Sequence, residues 1–456
     1  MTSVKPEKYR SLNSFCFTLL AVLAGIVGGL GAVVFRGLIA FFHNLLLLGR
    51  FSFIYDATIH TGPSPWGPGV TLVPVLGAAA VVFLVKNFAP EAKGSGVPEV
   101  MDAVFYKKGK IRPVVAVIKS LASSLSIGSG GSVGREGPII QIGATFGSTI
   151  AQILKLSIWQ RITLIAAGAG AGIAATFNTP VGGVLFTMEI LLHEVSARTI
   201  VPVAISTATA TYVGRYFFGA HPSFIIPRLE ETYFHLTNPW VLVAYIGLGM
   251  LMGPVSAIYV KSIYVFEDFF DNHIKGGYYG RHLTGMFLVG ITMYILWISL
   301  GHYYIEGVGY ATVRDVLSGT LNRLPVLLLL FFMKLISTSL TLGSGASGGI
   351  FSPGLFMGVT AGGAYGNLVS RIFPTLGISP AAFAVAGMMG VIGGSTGAVM
   401  TAIVMIFEMT MDYTVIIPAT ITVALSHGIR KMLSPQSIYT LKLVRRGHLM
   451  PGNQSE

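Results

Sequence analysis

The chain has 456 residues, of which 53% are hydrophobic and 11% charged, and a mean hydropathy of +0.72. Soluble domains carry about 25% charged residues, so this composition excludes one. The net charge of +12 does not signal nucleic acid, because no basic stripe with interleaved aromatics occurs.

Apolar stretches follow one another along the chain: 14–48, 67–89, 111–127, 139–154, 162–176, 181–192, 199–218, 239–265, 284–300, 324–342, 355–372, 380–394, 398–409 and 414–427. Several exceed the roughly 20 residues that span a bilayer core. Others are shorter and end at Gly or Pro, which predicts half-helices and re-entrant pieces buried in protein or lining a wet cavity. The first stretch is too long for a signal peptide and reads as a retained membrane helix. A lone cysteine, Cys16, allows no internal disulfide. Basic residues collect in tails and loops: Lys5, Lys8 and Arg10; Lys107, Lys108, Lys110 and Arg112; Arg430 and Lys431; Arg445 and Arg446. That bias predicts both termini and the 106–112 loop on the cytoplasmic side, in a cell (inner) membrane.

The chain repeats itself. GSGGSVGREGP (128–138) lies over GSGASGGIFSP (343–353), matching Gly134 to Gly349 and Pro138 to Pro353. At the same offset Lys119 falls on Lys334, Gly143 on Gly358 and Gly147 on Gly362. With small changes of offset, GSGVPEVMD (94–102) lies over GVGYATVRD (307–315), and AGAGAGI (167–173) over AGMMGVI (386–392), which places Glu189 on Glu408. Four collinear blocks indicate a duplication, and duplicated halves in a membrane protein usually hold a substrate site between them near the midplane. The expected parts are a tail over 1–12, a first repeat over 13–220, a loop over 221–237, a second repeat over 238–434, and a C-terminal helix with a short tail over 435–456.

Three polar blocks open apolar helices. They are GSGVPE with Gly94, Gly96 and Pro98, GREGP with Gly134 and Pro138, and GGIFSP with Gly349 and Pro353. Proline near a helix start costs no hydrogen bond, and glycine admits a ligand close to the backbone. The helix N-terminus offers unpaired N–H groups and about half a positive charge. Three such ends aimed at one point form an anion site without a bare lysine. Each contributes about 0.3–2 kcal/mol, weak enough to let an ion leave as well as enter. Taken singly, each block also fits ordinary close helix packing through small residues.

Glu136 stands out among them. A carboxylate at membrane depth costs at least about 2.5–3.5 kcal/mol, so it must bind something or hold a proton. Seated among N–H donors, it competes with a permeant anion; protonated, it swings away, as a gate or proton carrier. The bland alternative is a static pair with Arg135, but adjacent helical residues do not face each other.

These motifs, in this order and over residues 12–445, resemble the CLC family of chloride channels and chloride/proton exchangers. The resemblance implies an all-α polytopic membrane protein, the CLC-type fold of two inverted-topology repeats with broken and re-entrant helices. It also implies a homodimer with one ion pathway per subunit. By the same resemblance, Ser95 and Tyr439 offer hydroxyls to a central chloride, and the N–H groups of Ile350 and Phe351 complete that site. Arg135 and Gly137 supply N–H groups to an outer site, Glu136 is the gating glutamate, and Lys119 adds positive potential. Bound chloride ions are the expected ligands, with bromide also accepted; serine at position 95 favours chloride, whereas proline there would favour nitrate. No metal, cofactor or enzymatic activity is expected, since neither HExxH nor GxSxG beside a histidine occurs. The family's soluble nucleotide-sensing (CBS) pair is not expected after the last helix.

One departure matters. In the family's exchangers, FNxPxxGxLFxxE is commonly followed at once by a second glutamate that passes protons to the cytoplasm. Here FNTPVGGVLFTMEI (177–190) has Ile190. That tilts the sequence reading toward a passive chloride channel, gated by voltage or pH. The alternative is an antiporter with another internal proton route, for which His193 and Glu194 lie nearby although their placement reads as interfacial. Glu189 and Glu408 read as structural carboxylates, buried and satisfied by hydrogen bonds.

Overall fold

The structure, a computed structural model, describes residues 10–192, 196–220, 239–377, 379–412, 414 and 416–448. The expected inter-repeat loop, Lys5, Lys8, His193 and Glu194 lie outside the described residues. Seventeen helices run in order among the described residues: α1 Ser14–Leu48, α2 Val73–Phe88, α3 Val97–Phe105, α4 Val114–Gly128, α5 Glu136–Ile153, α6 Ile158–Phe177, α7 Pro180–Phe186, α8 Ala197–Phe218, α9 Pro239–His273, α10 Gly277–Leu300, α11 Tyr310–Leu317, α12 Leu324–Ser344, α13 Phe351–Ile372, α14 Pro380–Thr396, α15 Val399–Thr410, α16 Ile416–Leu433 and α17 Thr440–Arg445. Six of the helical segments, over 14–48, 67–88, 158–177, 240–273, 277–300 and 324–344, are long and apolar enough to cross a membrane.

Local chemistry sets the ends. Asn13 starts α1 by accepting the N–H of Cys16 (3.0 Å), and Gly49 ends it in the left-handed region at φ +62°. The short helices α3, α11 and α17 fall outside the apolar stretches of the sequence. They are six to nine residues long and carry charged groups beside apolar ones, so hydropathy alone misses them. The stretch 181–192 divides into α7 and one π turn over Thr187–Leu191.

Glycine lets paired helices approach to backbone contact. A Cβ on Gly143 of α5 would lie 2.1 Å from the carbonyl oxygen of Gly168 on α6, and one on Gly168 would lie 2.1 Å from that of Gly143. In the second half, Gly358 of α13 and Gly387 of α14 repeat this at 2.5 and 2.4 Å. Without a hydrophobic drive between helices in lipid, such close packing holds them together.

The two halves meet about a local two-fold axis. Gly134 and Gly349, equivalent in the repeat, exchange backbone bonds of 2.7 and 2.6 Å. Equivalent residues bond each other reciprocally when an axis passes between them. Around it, Ser123 bonds Ser347 (2.8 Å) and its counterpart Thr338 bonds Ser132 (3.2 Å). These hydroxyls are fully buried or nearly so, and pairing them across the axis removes the cost of burying each alone. Farther out, Glu189 accepts from Met400 N (2.9 Å), Thr401 N (2.7 Å) and Thr401 Oγ1 (2.5 Å) at the start of α15. Glu408 returns the contact by accepting from Val181 N (3.1 Å) and Gly182 N (2.7 Å) at the start of α7. Each acid thus caps the other half's helix. Both side chains are half-buried rather than buried, because a cap at a helix start sits at the rim of the packed interior.

Arg10, the 155–157 segment, the 106–112 loop and His448 lie on one face: Arg10 N donates to Lys155 O (2.9 Å), Arg161 donates to Lys108 O (3.2 Å), and His448 stacks on Tyr106.

Candidate anion-binding site

The three polar turns converge where the halves meet. Gly94 N donates to Ala346 O (2.9 Å), and Gly348 N donates to Gly94 O (3.2 Å). This joins the turn before α3 to the turn before α13, while the Gly134–Gly349 bonds join the turns before α5 and α13. The fit leaves no room for side chains. A Cβ on Gly137 would lie 2.1 Å from Ser95 O and 3.2 Å from Gly349 Cα; one on Gly349 would lie 2.8 Å from Gly137 N. Gly96 has φ +90° and its repeat partner Gly309 has φ +76°, a region that only glycine enters cheaply. Each immediately precedes its helix, α3 or α11.

Buried lysines hold the turns before these two helices. Lys119 Nζ donates to Ala92 O (3.0 Å) and Gly94 O (2.7 Å). Lys334 donates to Ile305 O (2.9 Å) and Gly307 O (3.0 Å). Both ammonium groups are fully buried, so each carbonyl bond offsets the loss of water around a charge. Lys119 thus has a structural task besides the positive potential expected of it.

Glu136, 2% exposed, opens α5 and turns its carboxylate to the second half. Oε1 accepts from Tyr310 OH (2.6 Å) and from Ser352 Oγ, while Oε2 accepts from Ser352 N (3.2 Å). Tyr310 and Ser352 hydroxyls lie 2.8 Å apart. The N–H of Ser352 is one of the free donors in the first turn of α13, so the carboxylate occupies the kind of place an anion would take. Arg135 caps α5 and places its guanidinium over the rings of Tyr310 (5.2 Å) and Phe177 (5.8 Å). That separates it from the role of a partner for the neighbouring carboxylate.

Ile350 caps α13 and Phe351 opens it. Ile350 O accepts from the buried Tyr259 OH (2.7 Å). Tyr439, 2% exposed, precedes α17. Its turn is held by Tyr264 OH donating to Ile438 O (2.6 Å) and by Ile438 N donating to Ser395 O (2.9 Å). Ser95, Gly96, Ile350 and Ile438 line one cavity of about 370 Å³, whose walls also include Lys93, Glu99, Glu267, Lys442 and Arg446. Of the residues expected at the anion site, Ser95 and Ile350 line this cavity, Arg135, Glu136 and Gly137 stand at the joined turns, and Tyr439 follows the cavity-lining Ile438; away from them, with Glu189 and Glu408, lies Ile190. It is 6% exposed and packed in the apolar core, beside the capping Glu189.

Sequence reasoning missed Tyr310 and Ser352 as holders of the Glu136 carboxylate. Both were inside quoted repeat blocks, and both are hydroxyls where the first half has Val97 and Gly137. That difference between the halves was the available signal.

A family profile described as Voltage gated chloride channel matches residues 77–431. The chain is 32% identical over 443 residues to the H(+)/Cl(-) exchange transporter ClcA of Yersinia pseudotuberculosis, covering 96% of this chain and 89% of that one. It is 34% identical over 382 residues to the ClcA of Vibrio parahaemolyticus, covering 82% and 79%. Among solved structures it is similar to a slow cyanobacterial Cl-/H+ antiporter, with a TM-score of 0.80, 26% identity and coverage of 96% and 99%. A eukaryotic CLC transporter, with a TM-score of 0.73, 21% identity and coverage of 95% and 74%, shares the fold.

Proposed function

This chain belongs to the voltage-gated chloride channel (CLC) family and is a multi-pass membrane protein that transports chloride, and from that premise we propose that it exchanges chloride for protons with Glu136 as the shared gate. The observation that carries the reading is the seated carboxylate of Glu136 among the Tyr310 and Ser352 donors at the start of α13. A chloride arriving from one side competes for those donors, and a proton taken by the released carboxylate makes its return unfavourable. One group thereby responds to both ions. The names of the relatives, exchange transporter and antiporter, support coupling. So does the asymmetry of access, because a cavity reaches Ser95 while Glu136 is enclosed.

In this reading Ser95 and Tyr439 offer hydroxyls to a central chloride, the N–H groups of Ile350 and Phe351 face the same ion, and those of Arg135 and Gly137 serve an outer one. Bromide is carried as well and nitrate less well. The working unit is a homodimer in an inner membrane, with both termini cytoplasmic and no enzymatic step. The passive channel remains the second reading, favoured by Ile190, which cannot carry a proton. Liposome flux separates them. Under an imposed chloride gradient, protons moving uphill support exchange, whereas chloride flux without proton movement supports the channel.

A further inference from the structure

A second group of ionisable side chains lies on the far side of the protein from the face that holds Arg10 and His448. α1 leaves that face after Asn13, and His43 stands roughly 45 Å along it. There the 49–66 segment meets the turn that precedes α11, and Ser64 N donates to Tyr303 OH (3.1 Å). Thr61 Oγ1 donates to Glu306 Oε1. His43 Nε2 lies 3.0 Å from Thr61 Oγ1 and 3.7 Å from Glu306 Oε1. His43 and Thr61 are buried, and the Glu306 side chain is 11% exposed.

The hydrogen count assigns the state of the histidine. Thr61 gives its one hydroxyl proton to the carboxylate, so His43 Nε2 carries the proton that it donates to Thr61 Oγ1. Nδ1 is then a bare acceptor. Among the described residues nothing donates to buried Nδ1, nor to Glu306 Oε2, a second buried acceptor. Leaving such acceptors unmet costs free energy. The ring of Tyr55 stacks on His43 at 3.8 Å, and the uncharged end of α4 packs there, since a Cβ on Gly128 would lie 2.8 Å from His43 N. One residue before Thr61, His60 Nε2 lies 2.8 Å from Asp315 Oδ2 of α11, and its ring stacks on His302 at 4.2 Å.

The repeat adds a second observation. Glu306 precedes Gly307 as Lys93 precedes Gly94, so the two halves carry opposite charges at one place. Lys93 lines the cavity that reaches Ser95. Its counterpart is an acid beside a histidine with a free lone pair, a combination that takes up a proton rather than an anion. This acid is also tied to the gate. Lys334 holds the carbonyls of Ile305 and Gly307 on either side of it, and Tyr310, which opens α11 after this turn, donates to Glu136.

We propose that His43, Thr61 and Glu306 form a second proton-binding site, whose loading fastens the turn before α11 and so keeps Tyr310 in its hold on Glu136. A proton from the aqueous side adds to His43 Nδ1, while Nε2–H and the Thr61 hydroxyl keep theirs. The trio passes from one negative charge to a neutral histidinium–carboxylate pair. Its bonds become charge-assisted at both ends, roughly twice as strong as neutral ones. Acid then acts on the gate with two signs: it frees Glu136 by protonating it, and restrains it through this site.

The coupling rests on the reading of Glu136 as the gate, so the test has two arms. Nitrogen-15 NMR of the histidine-labelled, full-length protein in detergent reads the site itself. Between about pH 8 and about pH 5, the signal absent from His43→Gln should show a proton taken up at Nδ1. Glu306→Gln should weaken that uptake about tenfold, since the carboxylate charge is lost. Chloride flux from liposomes, with equal pH on both sides, reads the coupling. His43→Gln and Glu306→Gln should each raise the ratio of flux at about pH 5.5 to flux at about pH 7.5 by about threefold. In a Tyr310→Phe background the same substitutions should leave that ratio unchanged. No proton uptake at His43 overturns the proposal. So does an unaltered flux ratio, which a merely structural contact would give by changing flux alike at both pH values. A Glu136→Gln variant that keeps the full pH response would instead overturn the gate reading, and the NMR titration would still decide the proton site.

Discussion

Alanine at position 134 tests the seat of the gate directly. A Cβ on Gly134 would lie 2.1 Å from Glu136 Oε2 and 3.1 Å from both the backbone nitrogen and the hydroxyl of Ser352. Ordinary contact needs more than 3 Å, so something must move by about 1 Å. The backbone of Gly134 is fixed by its paired bonds to Gly349, which alanine keeps. The movable partner is the free end of the Glu136 side chain. Displacing it weakens its bonds from Tyr310 and Ser352; hydrogen bonds to a charged group contribute about 1.5–3 kcal/mol each. Losing one such bond disfavours the seated state by roughly tenfold to a hundredfold. Gly134→Ala should therefore raise chloride flux from liposomes at neutral pH and flatten its rise on acidification, because the carboxylate is already unseated. Flux and pH profile within twofold of the unaltered protein would refute the view that the observed carboxylate position is the closed gate.

Glu136→Gln removes the ionisable group while keeping its shape, and chloride flux from liposomes should lose most of its pH dependence; an unchanged profile would remove Glu136 from gating. Gly137→Ala offers a contrast to Gly134→Ala, since its Cβ would lie 2.1 Å from the backbone oxygen of Ser95, which cannot swing aside. It should cost about 1–3 kcal/mol of stability and abolish transport, read as a lowered detergent melting temperature together with lost flux. Ser95→Pro should move the chloride-to-nitrate flux ratio toward nitrate; an unaltered ratio would place Ser95 off the ion path.

The parts legible in the sequence are those that the local two-fold axis repeats. Gly134 and Gly349, Gly143 and Gly358, and Lys119 and Lys334 each do the same task twice, so the same residue type recurs at one offset. The short helices α3, α11 and α17 were less legible, because their stability comes from tertiary packing rather than from an apolar run. The partners of Glu136 were hidden for another reason. Glu136 stands opposite Phe351 in the repeat, and Ser95 opposite Val308. Conversely, Tyr310 stands opposite Val97 and Ser352 opposite Gly137. At each of these positions one half is polar and the other is not. A pathway whose halves were chemically identical would present the same gate to both sides of the membrane. By giving the acid to one half and the hydroxyls that hold it to the other, the chain makes a single gate on one side of the axis. The scaffold is therefore read from what the repeats share, and the chemistry from the few positions where they differ.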